Sequence, residues 1–259
     1  MPTVVITGAS MGIGRALALA WADEKATVIL SARGREALDA VGAEVAAKGG
    51  RAVVVPGDAT DEAHRVALIE HAAANGGVDV LVNNAGRGFY APALQIDVGE
   101  MRDLFELNVI APLRLVQLAA PHLERARGTI VMMSSVAGVV AAPRYGAYAA
   151  SKFALEAIAM ALRSELAEKG IRVVVIRPGP VDTPFRANAT RAEGLTGYDA
   201  PDPKAQPAET IARLTLRAVA RSTPVVETST FVRVASAGVR LAPSVLRGVL
   251  RKMASKPET

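Results

Sequence analysis

Six short apolar runs rich in β-branched residues, at 4–6, 27–30, 53–55, 78–82, 129–133 and 173–176, alternate with longer stretches of helical patterning at 15–24, 35–48, 62–74, 100–124 and 148–169. Runs this short and almost purely apolar fit strands buried on both faces, the environment inside a parallel sheet covered by helices. The alternation predicts an α/β fold with a doubly wound, mostly parallel sheet of the Rossmann type and helices on both sides. No internal repeat or low-complexity linker interrupts it, and the Pro-rich stretch 200–207 reads as a loop within the unit. A chain of 259 residues is expected to form a single domain over 1–259.

Charge and composition remove several function classes. The net charge is +5, yet residues 201–259 hold ten Lys and Arg against four Asp and Glu, whereas the first 200 residues hold 20 against 21. With the basic excess confined to the tail, the body lacks the basic patch that nucleic acid requires, so no nucleic-acid partner is expected. The absence of cysteine excludes disulfides and thiolate metal sites. His64 and His71, seven apart on one helix, read as surface residues and His122 is isolated, so neither a metal cluster nor a histidine triad is expected. The chain start shows no secretory leader pattern, and the longest uncharged run, 128–143, is too short and too rich in Ser, Gly and Pro for a membrane span. A cytoplasmic location is expected.

The first apolar run ends in TGASMGIG, with glycines at 8, 12 and 14 opening the next helix. Gly8 permits a tight turn, Gly12 lets the backbone approach a pyrophosphate, and the N–H groups at the helix start attract its charge. A dinucleotide is the natural occupant. The spacing is wider than G-x-G-x-x-G, so the position between first strand and first helix carries the reading. Residues 8–12 also spell G-x-S-x-G, the nucleophile elbow of α/β-hydrolases; only seven residues precede Gly8, however, and that elbow takes its oxyanion hole from an upstream strand and loop.

The stretch YGAYAASK at 145–152 sets Tyr148 four residues before Lys152, hence on the same helical face, whereas Tyr145 is two turns from the lysine. Tyr145 reads as a substrate border or a surface residue. Bringing a phenol from its usual pKa of about 10 to about 7 requires roughly 4 kcal/mol of preferential phenolate stabilisation. An ammonium one turn away and an oxidised nicotinamide cation together can provide it, letting Tyr148 exchange a proton with a substrate oxygen. Ser135 follows the run TIVMM, at the strand end where sites of such sheets gather, and its hydroxyl can hold the same oxygen.

These motifs together resemble the short-chain dehydrogenases and reductases over about residues 3–186: TGASMGIG at 7–14, GDAT around Asp58, NNAG at 83–86, Asn108 in ELNV, Ser135 in SSVAG, YAASK at 148–152 and PGPVDT at 178–183. The resemblance implies that Tyr148 is the general acid or base, that Ser135 orients the carbonyl or hydroxyl, and that Lys152 binds the nicotinamide ribose while lowering the Tyr148 pKa. It implies that Asn108 holds a helix irregularity and a water of the proton relay. Thr7, Gly8, Ser10, Met11, Gly12, Ile13 and Gly14 would shape the cofactor loop, Asp58 and Ala59 would border the adenine, and Asn84, Ala85 and Gly86 would line the adenosine ribose side. Pro178, Gly179, Val181 and Thr183 would border the nicotinamide, the last two near its carboxamide. It further implies a homo-oligomer, dimer or tetramer, built through the helices after Glu100 and Tyr148.

The end of the second strand reads VILSARGRE, with Ala32 where an acid would bind a ribose 2′-hydroxyl and Arg33 next to it. Arg33 suits a 2′-phosphate, so NADP(H) is the expected cofactor. Met11 stands where many NADP-using relatives carry a basic residue. Substrate walls are expected from Phe89, Tyr90, Val136, Ala141, Ala142, Arg144, Tyr145 and Phe185, around a small-molecule carbonyl or alcohol, with 186–204 as a mobile lid. A basic helical extension is expected over 228–259, where Pro243 starts a helix whose stripe is Val245, Leu246, Val249, Leu250 and Met253. Docking of that helix on its own domain is the favoured reading, ahead of contact with an anionic membrane surface. A different class of function, a nucleotide-sensing protein acting through this tail, makes no use of a positioned proton donor.

Overall fold

The computed structural model describes residues 1–195 and 205–254. Its first half runs β1 (Thr3–Thr7), α1 (Gly12–Asp23), β2 (Thr27–Ala32), α2 (Arg35–Ala47), β3 (Arg51–Pro56), α3 (Glu62–Ala74) and β4 (Val80–Asn83). The second half carries β5 (Phe89–Tyr90), α4 (Val98–Phe105), α5 (Ala111–Ala126), β6 (Thr129–Met133), α6 (Gly146–Glu165), β7 (Arg172–Arg177), β8 (Val181–Asp182), β9 (Thr190–Arg191), β10 (Gln206–Pro207), α7 (Ala208–Arg221), β11 (Val225–Glu227), α8 (Thr230–Leu241) and α9 (Pro243–Ala254).

Seven strands lie in the order β11-β7-β6-β4-β1-β2-β3, every neighbouring pair parallel. Successive side chains of a strand point to opposite faces, so each apolar run feeds two cores. Val4, Ile6, Val28, Leu30, Val80 and Val82 face α1, α2 and α7, whereas Val5, Ile29, Leu81, Ile130 and Met132 face α3, α5 and α6. This double burial is why the runs carry so few polar residues. The chain winds outward from β1 on one side and continues from β4 on the other, so the carboxyl ends of β1 and β4 flank the crevice where such sheets bind ligands.

Several elements depart from the sequence-based expectations. The helix expected at 100–124 is α4, a π-helical turn at Glu106–Ile110 and α5 in succession. By length and composition Val98–Ala126 could cross a bilayer, but Leu104, Val109, Leu115, Val116, Ala119 and Leu123 are buried within the protein. His64 is not a surface residue: it is buried, and its Nε2 lies 2.9 Å from Ser31 Oγ. Part of the expected lid is ordered against the body, since β9 pairs with β5 and Ala189 and Leu195 are buried; residues 196–204 lie outside the described residues.

Helix α8 falls within the helical extension expected over 228–259, although its valines and Gly238 weaken the local helical pattern; Ser229 caps it by accepting the Val232 N–H at 3.3 Å. Helix α9 forms where the stripe predicts, but none of its residues is buried. Contact of α9 with its own domain is partial: Leu250 and Ala254 border a cavity with Ala91 and Ala142, and Leu246 and Leu250 are half-buried, while Val245, Val249 and Met253 face solvent.

Leu81 is fully buried in the central strand β4. Leu81→Ala should cost about 2–5 kcal/mol of unfolding free energy, measured by denaturant titration; a loss below 1 kcal/mol would contradict this placement of the core.

Candidate active site

The crevice is shaped first by backbone constraints. Gly8 and Gly12 have φ of +65° and +53°, a region that favours glycine, and a Cβ on Gly14 would stand 2.0 Å from the Gly8 carbonyl oxygen. Thr7 and Asn84 hold this turn against β4. Thr7 Oγ1 accepts the N–H groups of Asn84 and Ala85 at 3.1 and 3.0 Å, and Asn84 Nδ2 donates to the carbonyls of Thr7 and Gly8 at 2.9 and 3.2 Å. Asn84 is thus a clamp between strand ends, its amide turned to the glycine turn. Helix α1 starts after Met11 with no side-chain cap, so no protein side chain competes with an anion there. Ile13 packs on the core and Ser10 is half-buried on the turn. Exposed Met11 meets Asn188, whose Nδ2 lies 3.6 Å from its sulfur, and joins the glycine turn to the segment before β9.

The far corner of the crevice gathers the ends of β2 and β3. Asp58 Oδ1 accepts the N–H and the hydroxyl of Thr60, both at 2.8 Å. Burial opposes ionisation of Asp58, but these bonds, with the positive charge of nearby Arg33 and His64, hold its carboxyl below the usual range. Arg33 is exposed at this rim, next to Ala32. Beneath it, the Ser31 hydroxyl and His64 form a buried pair; burial lowers the imidazole pKa against the opposing charges of Asp61 and Asp58. A Cβ on Gly57 would lie 2.1 Å from His64 Nδ1, so this glycine makes room for the imidazole. Ala59 supplies a carbonyl to Arg65 at 3.1 Å.

At the opposite end, α6 delivers Tyr148 and Lys152 to the strand ends. Both are buried. Ser135 caps the turn Val136–Gly138 by accepting the Ala137 N–H at 3.1 Å, and its hydroxyl also bonds the Tyr148 phenol. Burial pushes the phenol up to about 12, with the Ser135 hydrogen bond opposing and Tyr145 adding to the rise. Lys152 Nζ donates to the Met133 carbonyl at 2.9 Å and stands 5.8 Å from the centre of the Tyr148 ring. Burial pulls this ammonium down to about 8, and the Glu156 carboxylate opposes the fall. Glu156 is one turn beyond Lys152 and is gripped by Arg177 through two 2.9 Å bonds; Arg177 also reaches Glu227 at 3.3 Å.

Asn108 sits in the π-helical turn, the irregularity implied by the resemblance. Its Oδ1 accepts the Arg87 N–H at 3.0 Å, while Nδ2 donates to the Arg87 carbonyl and to Ser151 Oγ at 3.0 and 3.1 Å. Ser151 in turn donates to the Tyr148 carbonyl at 2.7 Å. Asn108 therefore ties the NNAG loop to the first turn of α6, and a Cβ on Gly86 would come within 3.6 Å of Lys152 Nζ. After β7, the Pro178 carbonyl accepts the Val136 N–H at 2.8 Å, Gly179 packs beneath Val232, Val181 pairs with Gln206, and Thr183 abuts Gly12. The loop after β7 thus bridges the serine turn and the glycine turn.

On the substrate side, Phe185 packs on Tyr148 with ring centres 5.7 Å apart. Tyr90 is buried against Tyr145 at 4.7 Å, so Tyr145 anchors the wall and is not on the proton path. Two cavities border these segments, one of about 360 Å³ lined by Ala91, Ala142, Arg144, Leu250 and Ala254, and one of about 640 Å³ lined by Phe89, Glu100, Thr190 and Arg191; Tyr148 lines neither. Four contributors escaped sequence reasoning: Glu156, Arg177, Ser151 and the Ser31–His64 pair. A charged residue four past Lys152 was the only sequence signal for Glu156; the others act through long-range contacts.

A backbone cradle fit for a pyrophosphate, an arginine at the second strand end and a hydrogen-bonded serine and tyrosine beside a buried lysine match a known family. The short chain dehydrogenase profile matches residues 2–194. An uncharacterized oxidoreductase of Methylorubrum extorquens is 37% identical over 75% of this chain and 77% of its own. A short-chain dehydrogenase of Streptomyces avermitilis superposes with a TM-score of 0.82 at 31% identity, covering 97% of each chain. One from Sphingobium yanoikuyae, solved in complex with NADPH, superposes with a TM-score of 0.81 at 26% identity, covering 100% of this chain and 98% of that one. The chain belongs to the short-chain dehydrogenase family.

Proposed function

We propose that this protein is an NADP(H)-dependent oxidoreductase acting on a small-molecule carbonyl or secondary alcohol, with Tyr148 as the proton-transferring group. The observation that carries the reading is the buried Tyr148 phenol hydrogen-bonded to Ser135 with the Lys152 ammonium one helical turn away. The Sphingobium relative was solved with NADPH, and the glycine turn, Arg33 and the loop at Pro178, Gly179, Val181 and Thr183 offer this chain's own surface for the same cofactor. When bound, the cofactor supplies or accepts the hydride. Arg33 would hold the 2′-phosphate at the rim, and Asp58 would border the adenine.

The protein's residues handle the proton. Ser135 and Tyr148 together hold the substrate oxygen, and Tyr148 donates its proton as negative charge develops there. With burial pushing it up to about 12, the phenol carries its proton at neutral pH in the free protein. Lys152 stabilises the resulting phenolate, and Asn108 holds the first turn of α6 in register and lies on the route of proton resupply. Ile110, exposed on the π-helical turn, and Phe153 and Met160, exposed on α6, are the surface we assign to homo-oligomerisation. A cytoplasmic location fits the reading. A nucleotide sensor has no use for a buried proton donor.

Tyr148→Phe should lower kcat/KM for carbonyl reduction by on the order of a thousandfold while leaving NADPH affinity within about twofold; retained turnover would remove Tyr148 from the proton path. Arg33→Ala should weaken NADPH about ten- to a hundredfold and NADH little, read by fluorescence titration; equal loss for both would displace the 2′-phosphate site. Glu156→Gln removes the charge that keeps Lys152 protonated, so the ammonium is lost at lower pH than in the native protein. The alkaline limb of the pH–rate profile should then move to lower pH, and an unmoved limb would exclude Glu156 from this role.

A further inference from the structure

Both C-terminal helices turn an apolar row outward. On α8, Phe231, Val234 and Leu241 are 55%, 66% and 84% exposed; on α9, Val245, Val249 and Met253 are 65%, 50% and 46% exposed. Spacings of three and ten on α8, and of four and eight on α9, place each set along one face of its helix. The opposite sides are fastened to the protein. Val232 of α8 is fully buried and lies over Gly179, while Leu250 and Ala254 of α9 close a cavity with Ala91, Ala142 and Arg144. Contiguous apolar rows of this kind on a folded surface mark a contact site.

The charges around the rows select the partner. Arg233 and Lys252 stand exposed at the margins of the rows, Arg247 and Arg251 lie further round α9 with Arg251 bordering that cavity, and neither helix contains an Asp or a Glu. A second copy seated on this face would set like cations against one another with no carboxylate from either helix between them, which a two-fold interface disfavours. An anionic lipid surface meets both demands at once: headgroup phosphates face the guanidinium and ammonium groups, and the acyl boundary takes the apolar rows.

We propose that the outer face of α8 and α9 docks the protein on an anionic bilayer, with Phe231, Val234, Leu241, Val245, Val249 and Met253 entering the headgroup boundary and Arg233 and Lys252, at the margins of the rows, lying at phosphate level. This is peripheral attachment, and it is independent of the catalytic reading. It places the surface beside the substrate wall, because α8 rests on the loop after β7 and α9 on the segment preceding Tyr148.

The full chain, sedimented with vesicles of phosphatidylcholine alone or mixed with phosphatidylglycerol, should pellet with the mixed vesicles at least tenfold more strongly, and less so at high salt. Val245→Glu/Val249→Glu should reduce that binding at least tenfold while NADPH binding, read in parallel, shows the protein still folded. Arg233→Gln/Lys252→Gln, which leaves the apolar rows intact, should weaken binding to the mixed vesicles on the order of thirtyfold, at about 1 kcal/mol per charge. Protein that remains in the supernatant with both vesicles would overturn the proposal, as would binding unchanged in both variants. Conversion of a dimer to a monomer by Val245→Glu/Val249→Glu, seen by analytical ultracentrifugation, would overturn it in favour of a subunit interface.

Discussion

Keeping an ammonium charged inside a protein is the constraint on which this structure turns. Lys152 is only 4% exposed, and removal from water alone favours its neutral form. Two features counter that tendency: the Met133 carbonyl at the end of β6 and the carboxylate of Glu156 one turn along α6. Glu156 is in turn fixed by Arg177, whose other contact is Glu227 on β11. A charge chain thus runs from the sheet edge through β7 into α6 and ends beside the phenol of Tyr148. Such a chain adds little net stability, since each buried ion forfeits hydration. Its effect is to hold one cation in one place.

The same economy of position governs the cofactor end. Glycine is required at 8, 12 and 14 by two left-handed turns and one 2.0 Å approach, and Asn84 then locks the turn to β4. Because β1 and β4 are neighbours at the reversal of strand order, the glycine turn and the NNAG loop share one crevice. The π-helical turn at Asn108 connects that crevice to α6 through Arg87 and Ser151. One hydrogen-bonded path therefore joins the nucleotide end to the backbone of Tyr148.

Much of this was legible in the sequence because it is local or periodic. The runs at 27–30 and 129–133 are apolar after their first threonine, and they are strands buried on both faces. The four-residue interval between Tyr148 and Lys152 needs only helical geometry. What could not be read depends on the third dimension. The Ser31–His64 pair spans 33 residues and Arg177–Glu156 spans 21, and neither leaves a local pattern. A π-helical turn has the same composition as an α-helix, so the resemblance, and not the periodicity of 100–124, pointed to Asn108. Helix α8 was legible as part of the extension over 228–259 but not in its bounds, because four of its twelve residues are valine or glycine, types that weaken a helical signal. The exposure of Val245, Val249 and Met253 is equally invisible in sequence, since an amphipathic stripe looks the same docked or free.

The ionisation of Tyr148 tests the account most directly, and ultraviolet difference titration of the native protein against Tyr148→Phe isolates it. The account predicts a phenol that stays protonated well above the ordinary tyrosine value in the free protein, near 12, and ionises at markedly lower pH when NADP⁺ is bound. A midpoint at the ordinary value of about 10, unmoved by NADP⁺, would contradict it: the site would then neither bury the phenol nor tune its acidity, and Tyr148 would lose its claim to the proton.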